Sequence, residues 1–403
     1  MEVNLMPNQH KIVSSIVGAT LVVLALIQLF LSACGGSGRA ITPTPTRTPQ
    51  PKVTATPISI HTPTATPPTA TPDTSPTPTP DTSIITEFPP DVNPLTGLQV
   101  PDPTLLERRP QAIKISNSPP VVRPQAGLGF ADLVFEHYAE GGVTRFTAVF
   151  LSQGASKVGS IRSGRLIDLE IPAMFKSMFA YSGSSGGVKQ KIVASDFFQE
   201  NRVISPDFGM GEPVFRRIPE PGKAFEHTLF TSTDALWTLT SERGLNTRQD
   251  LRGLAFRELP PEGGEPARYV EVVYLPGVAS AEWIFDNDLS LYRRSILGEP
   301  HTDALTGQQL TAANVIIVYA NHVETDILED LVGGGHYSIE IQIWGQGPVQ
   351  IVRDGQVYNG LWVRQAREEM LSFFDEANQP LLLKPGNSWY QIVPLGFSTV
   401  IQP

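Results

Sequence analysis

One cysteine, Cys34, stands in 403 residues. It cannot form an intramolecular disulfide, and no multi-cysteine metal site can be built around it. Cationic excess is missing too: 40 Asp and Glu against 30 Lys and Arg leave a formal charge of −10. That balance argues against nucleic acid as a partner, because nonspecific binding needs a cationic surface to displace counterions. The 7 histidines are scattered, with no HExxH and no close ligand pair, so neither a metal nor a cofactor is expected. No Walker loop and no GxSxG elbow occurs; the glycine-rich stretch from Tyr181 to Gly187 has the lysine and spacing of neither. Asp286-Asn287-Asp288 opens like a calcium loop but lacks its glycine and distal glutamate.

What is present begins with an address. Ile12 to Phe30 is almost continuously apolar, and Leu31-Ser32-Ala33-Cys34 follows. Small residues before a cysteine at the end of an export signal match a lipobox, in which the thiol takes a diacylglyceryl group and becomes the new N-terminus. Residues 1–34 are therefore expected to be a signal peptide. Cys34 would attach the chain to the lipid bilayer on its extracytoplasmic side. An uncleaved anchor is the alternative, since about 22 residues suffice to cross a bilayer. Residues 35–88 are rich in Thr-Pro repeats, which favour extended polyproline II and build neither helix nor sheet. They predict a disordered tether.

The remainder predicts an α+β protein. A mixed α/β domain is expected over 89–255, followed by a mainly β domain over 256–403, read as sandwich-like or barrel-like. In the first, Ala112 to Ser116, Leu133 to Tyr138 and Val143 to Leu151 read as strands, with Gly141-Gly142 as a tight turn. Period-2 alternation places Glu136, Tyr138 and Glu140 on one face and His137 on the other. Phe225 to Ser232 reads as a strand holding His227, and Thr233 to Gly244 as a capped helix. In the second, Leu381 to Leu383 and Trp389 to Val393 read as a final hairpin, with a short helix near Gln365 to Phe373. Trp283, Trp344, Trp362, Trp389 and Tyr358 suggest either a glycan-stacking platform or, more ordinarily for such residues, the β core.

Several motifs agree in order with one family. NPLTGL (93–98), RPQAGLGFADLVFEHYAEGGVTRF (123–146), VGSIRSGRLIDLE (158–170), YSGSSG (181–186) and HTLFTS (227–232) resemble the YerB-like bacterial lipoproteins. The C-terminal YNGLWVR and LLLKPGNSWYQIVP do so too. The resemblance covers roughly residues 90 to 397 and implies a two-domain, membrane-attached extracytoplasmic protein. It carries over no catalytic residue, because the family's biochemical function is unknown. Ile115-Ser116-Asn117 departs from the family pattern, which often has an acidic residue before the asparagine.

The charged residues cluster between Ile113 and Asp168. Asn117, Arg123, Gln125, Asp132, Glu136, Glu140, Arg145, Arg162, Ser163 and Arg165, with His227, form the candidate ligand site; no catalytic residue is assigned. Guanidinium forks bind phosphate and carboxylate bidentately. Equally, these arginines suit structural ion pairs with Asp132, Glu136, Glu140 and Asp168. Three readings follow: a protein binding an anionic envelope polymer or small anion, an envelope hydrolase or transferase using the acids, and an assembly factor that binds an envelope protein.

Overall fold

The computed structural model describes residues 86–331 and 334–403, so the export signal, Cys34 and all but the end of the tether lie outside the described residues. The first folded segment supplies strands β1 (Gln111–Ser116), β2 (Leu133–Tyr138), β3 (Thr144–Phe150) and β4 (Met178–Ala180), helix α1 (Gly186–Val193), strand β5 (Val203–Ile204) and helix α2 (Thr233–Glu242). Ser185 and Ser232 cap the two helices through their hydroxyls, each accepting from a backbone N–H three residues on. The second segment is almost wholly strand: β6 (Tyr269–Leu275), β7 (Ala279–Asp286), β8 (Leu291–Ile296), β9 (Asn314–Asp330), β10 (His336–Gln342), β11 (Gly345–Arg353), β12 (Gln356–Arg364), β13 (Ser372–Phe374), β14 (Ser388–Pro394) and β15 (Val400–Gln402). The α+β expectation holds.

The second segment does not close on itself. Its strands β9, β11, β12, β13 and β14 continue the sheet of the first segment, in the order β13-β12-β11-β9-β14-β2-β3-β1-β4-β5. The seam is β14. It runs parallel to β2 on one side, pairing Glu136 with Gln391, and parallel to β9 on the other, pairing Ile316 with Tyr390. The expected terminal hairpin is therefore absent: Leu383 makes only an isolated bridge to Phe256, and β14 joins distant strands. A strand buried on both faces reads as a continuous apolar run whatever its neighbours are, so the run from Trp389 could not reveal them. No helix forms near Gln365 to Phe373; turns lead into β13 instead. A second, antiparallel sheet of β8, β7, β6 and β15 with two short strands covers one face.

Two cores result. One side of the large sheet packs Phe135, Tyr390, Phe179 and Tyr181 under the helices, with Phe135 and Tyr390 stacked at 4.3 Å. The other packs Phe146, Trp283 and Trp389 between the sheets. Of the five predicted aromatics, Trp283, Trp362, Trp389 and Tyr358 are buried and only Trp344 is exposed. They are core rather than a platform.

A loop appears twice. Asn93-Pro-Leu-Thr-Gly97 and Asp303-Ala-Leu-Thr-Gly307 make the same turn: the glycine N–H bonds to the carbonyl of the first residue at 2.8 Å in both. The first residue's side chain accepts from the N–H two positions on, at 2.9 and 2.8 Å. Both then reach one short stretch of the first segment. Asn93 Nδ2 donates to Asp132, and Asp303 Oδ2 accepts from the Gly129 N–H. Gly97 and Gly307 have φ of +67° and +68°, a region L side chains occupy at a cost of about 1–2 kcal/mol. A Cβ at Gly97 would also meet Phe256 Cγ at 2.5 Å, whereas one at Gly307 would meet nothing within 4 Å. Gly97→Ala is expected to destabilise the protein by roughly 1–3 kcal/mol more than Gly307→Ala. Denaturant midpoints for the two variants measure the difference.

Candidate functional site

The clustered charges divide between the two faces of the large sheet. Glu136 lies opposite Phe146 in the pairing of β2 with β3, on the tryptophan side. There it belongs to a closed hydrogen-bonded ring. Arg294 Nη2 donates to Glu136 Oε2 at 2.7 Å, and Asn117 Nδ2 donates to Glu136 Oε1 at 3.2 Å. Gln125 Nε2 donates to Asn117 Oδ1, and His301 Nε2 to Gln125 Oε1 at 2.6 Å. Arg294 Nη1 donates to His301 Nδ1, which closes the circuit and places the imidazole proton on Nε2. Burial, with Arg294 and Arg123 nearby, holds His301 well below the usual histidine range, in keeping with a neutral ring. The Arg294 guanidinium also lies 5.0 Å from the Trp389 ring centre. Arg123 donates to the Asn117 carbonyl at 2.9 Å and closes the outer edge.

Asn117, Gln125 and Glu136 thus spend their polar atoms within the protein. Asp132 does so elsewhere, accepting from Asn93, from the N–H groups of Leu151 and Ser152, and from the Ser152 hydroxyl. Arg294 and His301, the ring's members from the second segment, were not among the sequence candidates. The signal that would have found them is the loop repeat, since DALTGQQL (303–310) echoes NPLTGLQV (93–100) directly after His301.

The opposite face holds a different constellation. Pairing places Lys114 opposite Thr147, and Arg145 opposite both Ser116 and His137. Lys114 Nζ bonds to Asp168 at 2.7 Å, to His137 Nε2 at 2.7 Å and to Thr147 Oγ1 at 3.1 Å, all fully buried. Burial, partly offset by Asp168, pushes Lys114 down to about 8. Glu140 is not on the strand face predicted for it. The strand ends at Tyr138, and a 3-10 turn over Glu140–Gly142, with Gly141 and Gly142 both at positive φ, swings the carboxylate onto Arg165 Nε at 2.5 Å. The hairpin of β9 and β10 adds Glu329, which accepts from Ser185 Oγ at 2.9 Å and lies 3.9 Å from Arg165.

Two guanidiniums here are left over. Arg145 is buried, and among the described residues it donates only to its neighbour's carbonyl (Thr144) while its Nε has no partner. Arg162 has a buried Nε without a partner and no carboxylate within ion-pair distance among the described residues. Burial, with Arg165 and Arg162 close by, pushes Arg145 down to about 9. His227 is not in a strand but in a 3-10 turn, Phe225–His227; it is buried, its Nδ1 is unpartnered, and burial followed by Arg162 lowers its pKa. The backbone ties these groups together: the Arg162 N–H donates to the Lys114 carbonyl, and the Ser182 N–H to the Arg162 carbonyl. Ser163 Oγ would lie 3.5 Å from a Cβ on Gly183. The group stands at the carboxyl ends of the parallel strands β1 and β4, where α/β sheets place their ligands. A cavity of about 750 Å³ lined by Arg257, Tyr358, Asp375 and Leu381 lies along β12 and includes none of these residues. Volume and unpaired charge therefore point to different places, and the buried unmatched cation is the stronger chemical signal.

Comparison with known proteins accords with the motifs. Family models described as the N-terminal and C-terminal domains of a protein of unknown function (DUF3048) match residues 95–246 and 270–390. "Putative lipoprotein YerB" of Bacillus subtilis (strain 168) is 30% identical over 303 residues, 75% of this chain and 86% of that protein. The crystal structure of the B. subtilis YerB protein matches with a TM-score of 0.63 at 28% identity, covering 77% of this chain and 99% of that one.

Breaking the ring by Arg294→Met is expected to cost about 3–5 kcal/mol in urea denaturation, because Glu136 is left as a buried unpaired charge. Lys114 carries a pH signature. Its folded pKa lies below the unfolded 10.5, so the unfolded chain holds the proton longer, and stability rises between about 8 and 10.5. Above that window the gain is complete; it is lost as pH falls through about 8. Denaturation at pH 7.5 and 9.5 should show the gain in the wild type and a smaller one in Lys114→Met, where Arg145, pushed down to about 9, still contributes.

Proposed function

Because the chain belongs to the DUF3048 family, we propose that it is a lipoprotein, held on the extracytoplasmic face of the membrane through a diacylglyceryl group on Cys34, that binds an anionic envelope ligand at Arg145 and Arg162. The observation that carries the binding reading is the Arg145 guanidinium, buried and without a carboxylate partner among the described residues. Removing a cation from water without a counter-charge costs several kcal/mol. A protein that keeps one beside Arg162 and Arg165 gains from an anion that completes the set. Arg165 and Lys114 are matched by Glu140 and Asp168, so the demand falls on Arg145, Arg162 and the Nδ1 of His227.

Binding is favoured over hydrolysis by the state of the acids. Glu136, Asp132, Glu140 and Asp168 are each engaged by protein donors, and none stands free as a general acid or base among the described residues. The test is a thermal-shift titration of the full chain with inorganic phosphate, sulfate and citrate. Phosphate at about 100 times Kd is expected to stabilise the fold by about 2.7 kcal/mol. Arg145→Met should abolish that shift, while Arg216→Met, at an exposed site, should retain it. No shift with any of the three anions rejects the reading.

A further inference from the structure

We infer that the ligand of the Arg145–Arg162 end is an acidic saccharide, its anionic group held by the two guanidiniums and its ring stacked on Phe225; this rests on the anion-binding reading above. Phe225 is 70% exposed, and it opens the 3-10 turn that buries His227. The Ile161 N–H donates to the Leu229 carbonyl at 2.8 Å, which brings the turn beside Arg162, where Glu226 and His227 both feel its charge.

A single exposed phenylalanine is ordinary on a protein surface. This one is held in place. The Arg217 guanidinium lies 3.4 Å from the Phe225 ring centre, covering one face. Arg217 Nη1 donates to the Phe225 carbonyl at 2.6 Å, and Thr228 Oγ1 donates to the same oxygen at 2.8 Å. The ring is thereby fixed before any ligand arrives, which removes part of the ordering cost of binding. Its second face is left to solvent. A pyranose has an apolar face of C–H groups that suits an aromatic surface, and hydroxyls at its rim that stay in water. A small inorganic anion would satisfy the arginines and leave Phe225 unused.

Calorimetry on the full chain separates these cases with inorganic phosphate, glucose 6-phosphate, glucuronate, glucose and decyl phosphate. Glucose 6-phosphate and glucuronate are expected to bind more tightly than phosphate. Phe225→Ala should weaken both by about three- to tenfold while changing phosphate affinity less than twofold. Arg145→Met should lose all the anions. If Phe225→Ala weakens phosphate as much as the sugar acids, or weakens none, the saccharide inference is overturned and the anion site stands. Decyl phosphate losing as much as glucose 6-phosphate also overturns it, in favour of an acyl chain. Absence of binding by every anion overturns both readings at once.

Discussion

A guanidinium packed against tryptophans must find its counter-charge inside the protein. Arg294 finds it in Glu136, 158 residues earlier in the chain, and the ring through Asn117, Gln125 and His301 takes up its second terminal nitrogen and the other carboxylate oxygen. Every member is buried, so each missing bond would expose a desolvated polar group costing about 1–3 kcal/mol. The ring closes only when the antiparallel sheet of the second segment lies over β2 in one register. A slip of two residues along either strand would leave Arg294 and Glu136 as buried, unmatched charges. The apolar contacts of Trp283 and Trp389 supply cohesion without direction, and the ring supplies the direction. The doubled Asx loop serves the same end from outside, since Asn93 and Asp303 grip residues three apart in the turn before β2.

The contrast between the two faces is the main argument about function. On the ring face, Glu136 and Arg294 match in charge, although Arg294 Nε, Trp283 Nε1 and Gln391 Nε2 are buried without a partner among the described residues. On the helix face, Lys114 and Arg165 are matched while Arg145 and Arg162 are not. A protein able to assemble a five-membered buried circuit did not lack the means to place one more carboxylate beside Arg145. Glu329 comes near from the β9–β10 hairpin, but its bonds go to Ser185 and Ser338, with Arg165 at 3.9 Å. The mismatch sits where β1 and β4 end, at the carboxyl edge of the sheet.

Much of this was legible in the residues. The alternation of β2 correctly separated Glu136 from His137, the helix from Thr233 was expected as a capped one, and Gly141-Gly142 marked the β2–β3 connection. The family motifs anticipated the relationship to YerB. What could not be read was which face each charge would share, and with whom. Asn117, Gln125 and Glu136 resemble ligand-binding residues because a buried structural ring needs the same groups as a binding pocket: a fork, an amide, a carboxylate. Their partners, Arg294 and His301, lie too far along the chain for spacing to reveal. Glu140 was misplaced for a local reason, since alternation holds only while the strand continues and two left-handed glycines end it.

The insertion of β14 ties these observations to how the chain must fold. Parallel pairing to β2 and to β9 cannot form until both flanking strands exist, and they are separated by more than 170 residues of sequence. The large sheet therefore cannot be completed by the first segment alone. Without β14, β2 would present an open edge, and Phe135 would lose the stacked ring of Tyr390. The two family-defined segments are thus dependent in structure although separable in sequence. The same seam bears on Arg165: Glu140, which pairs with it, lies on the turn that follows β2, the strand held between β3 and β14. Stability of the seam and the charge balance at Arg145 are in this sense one property, and a ligand that occupies the unmatched cations would stabilise both.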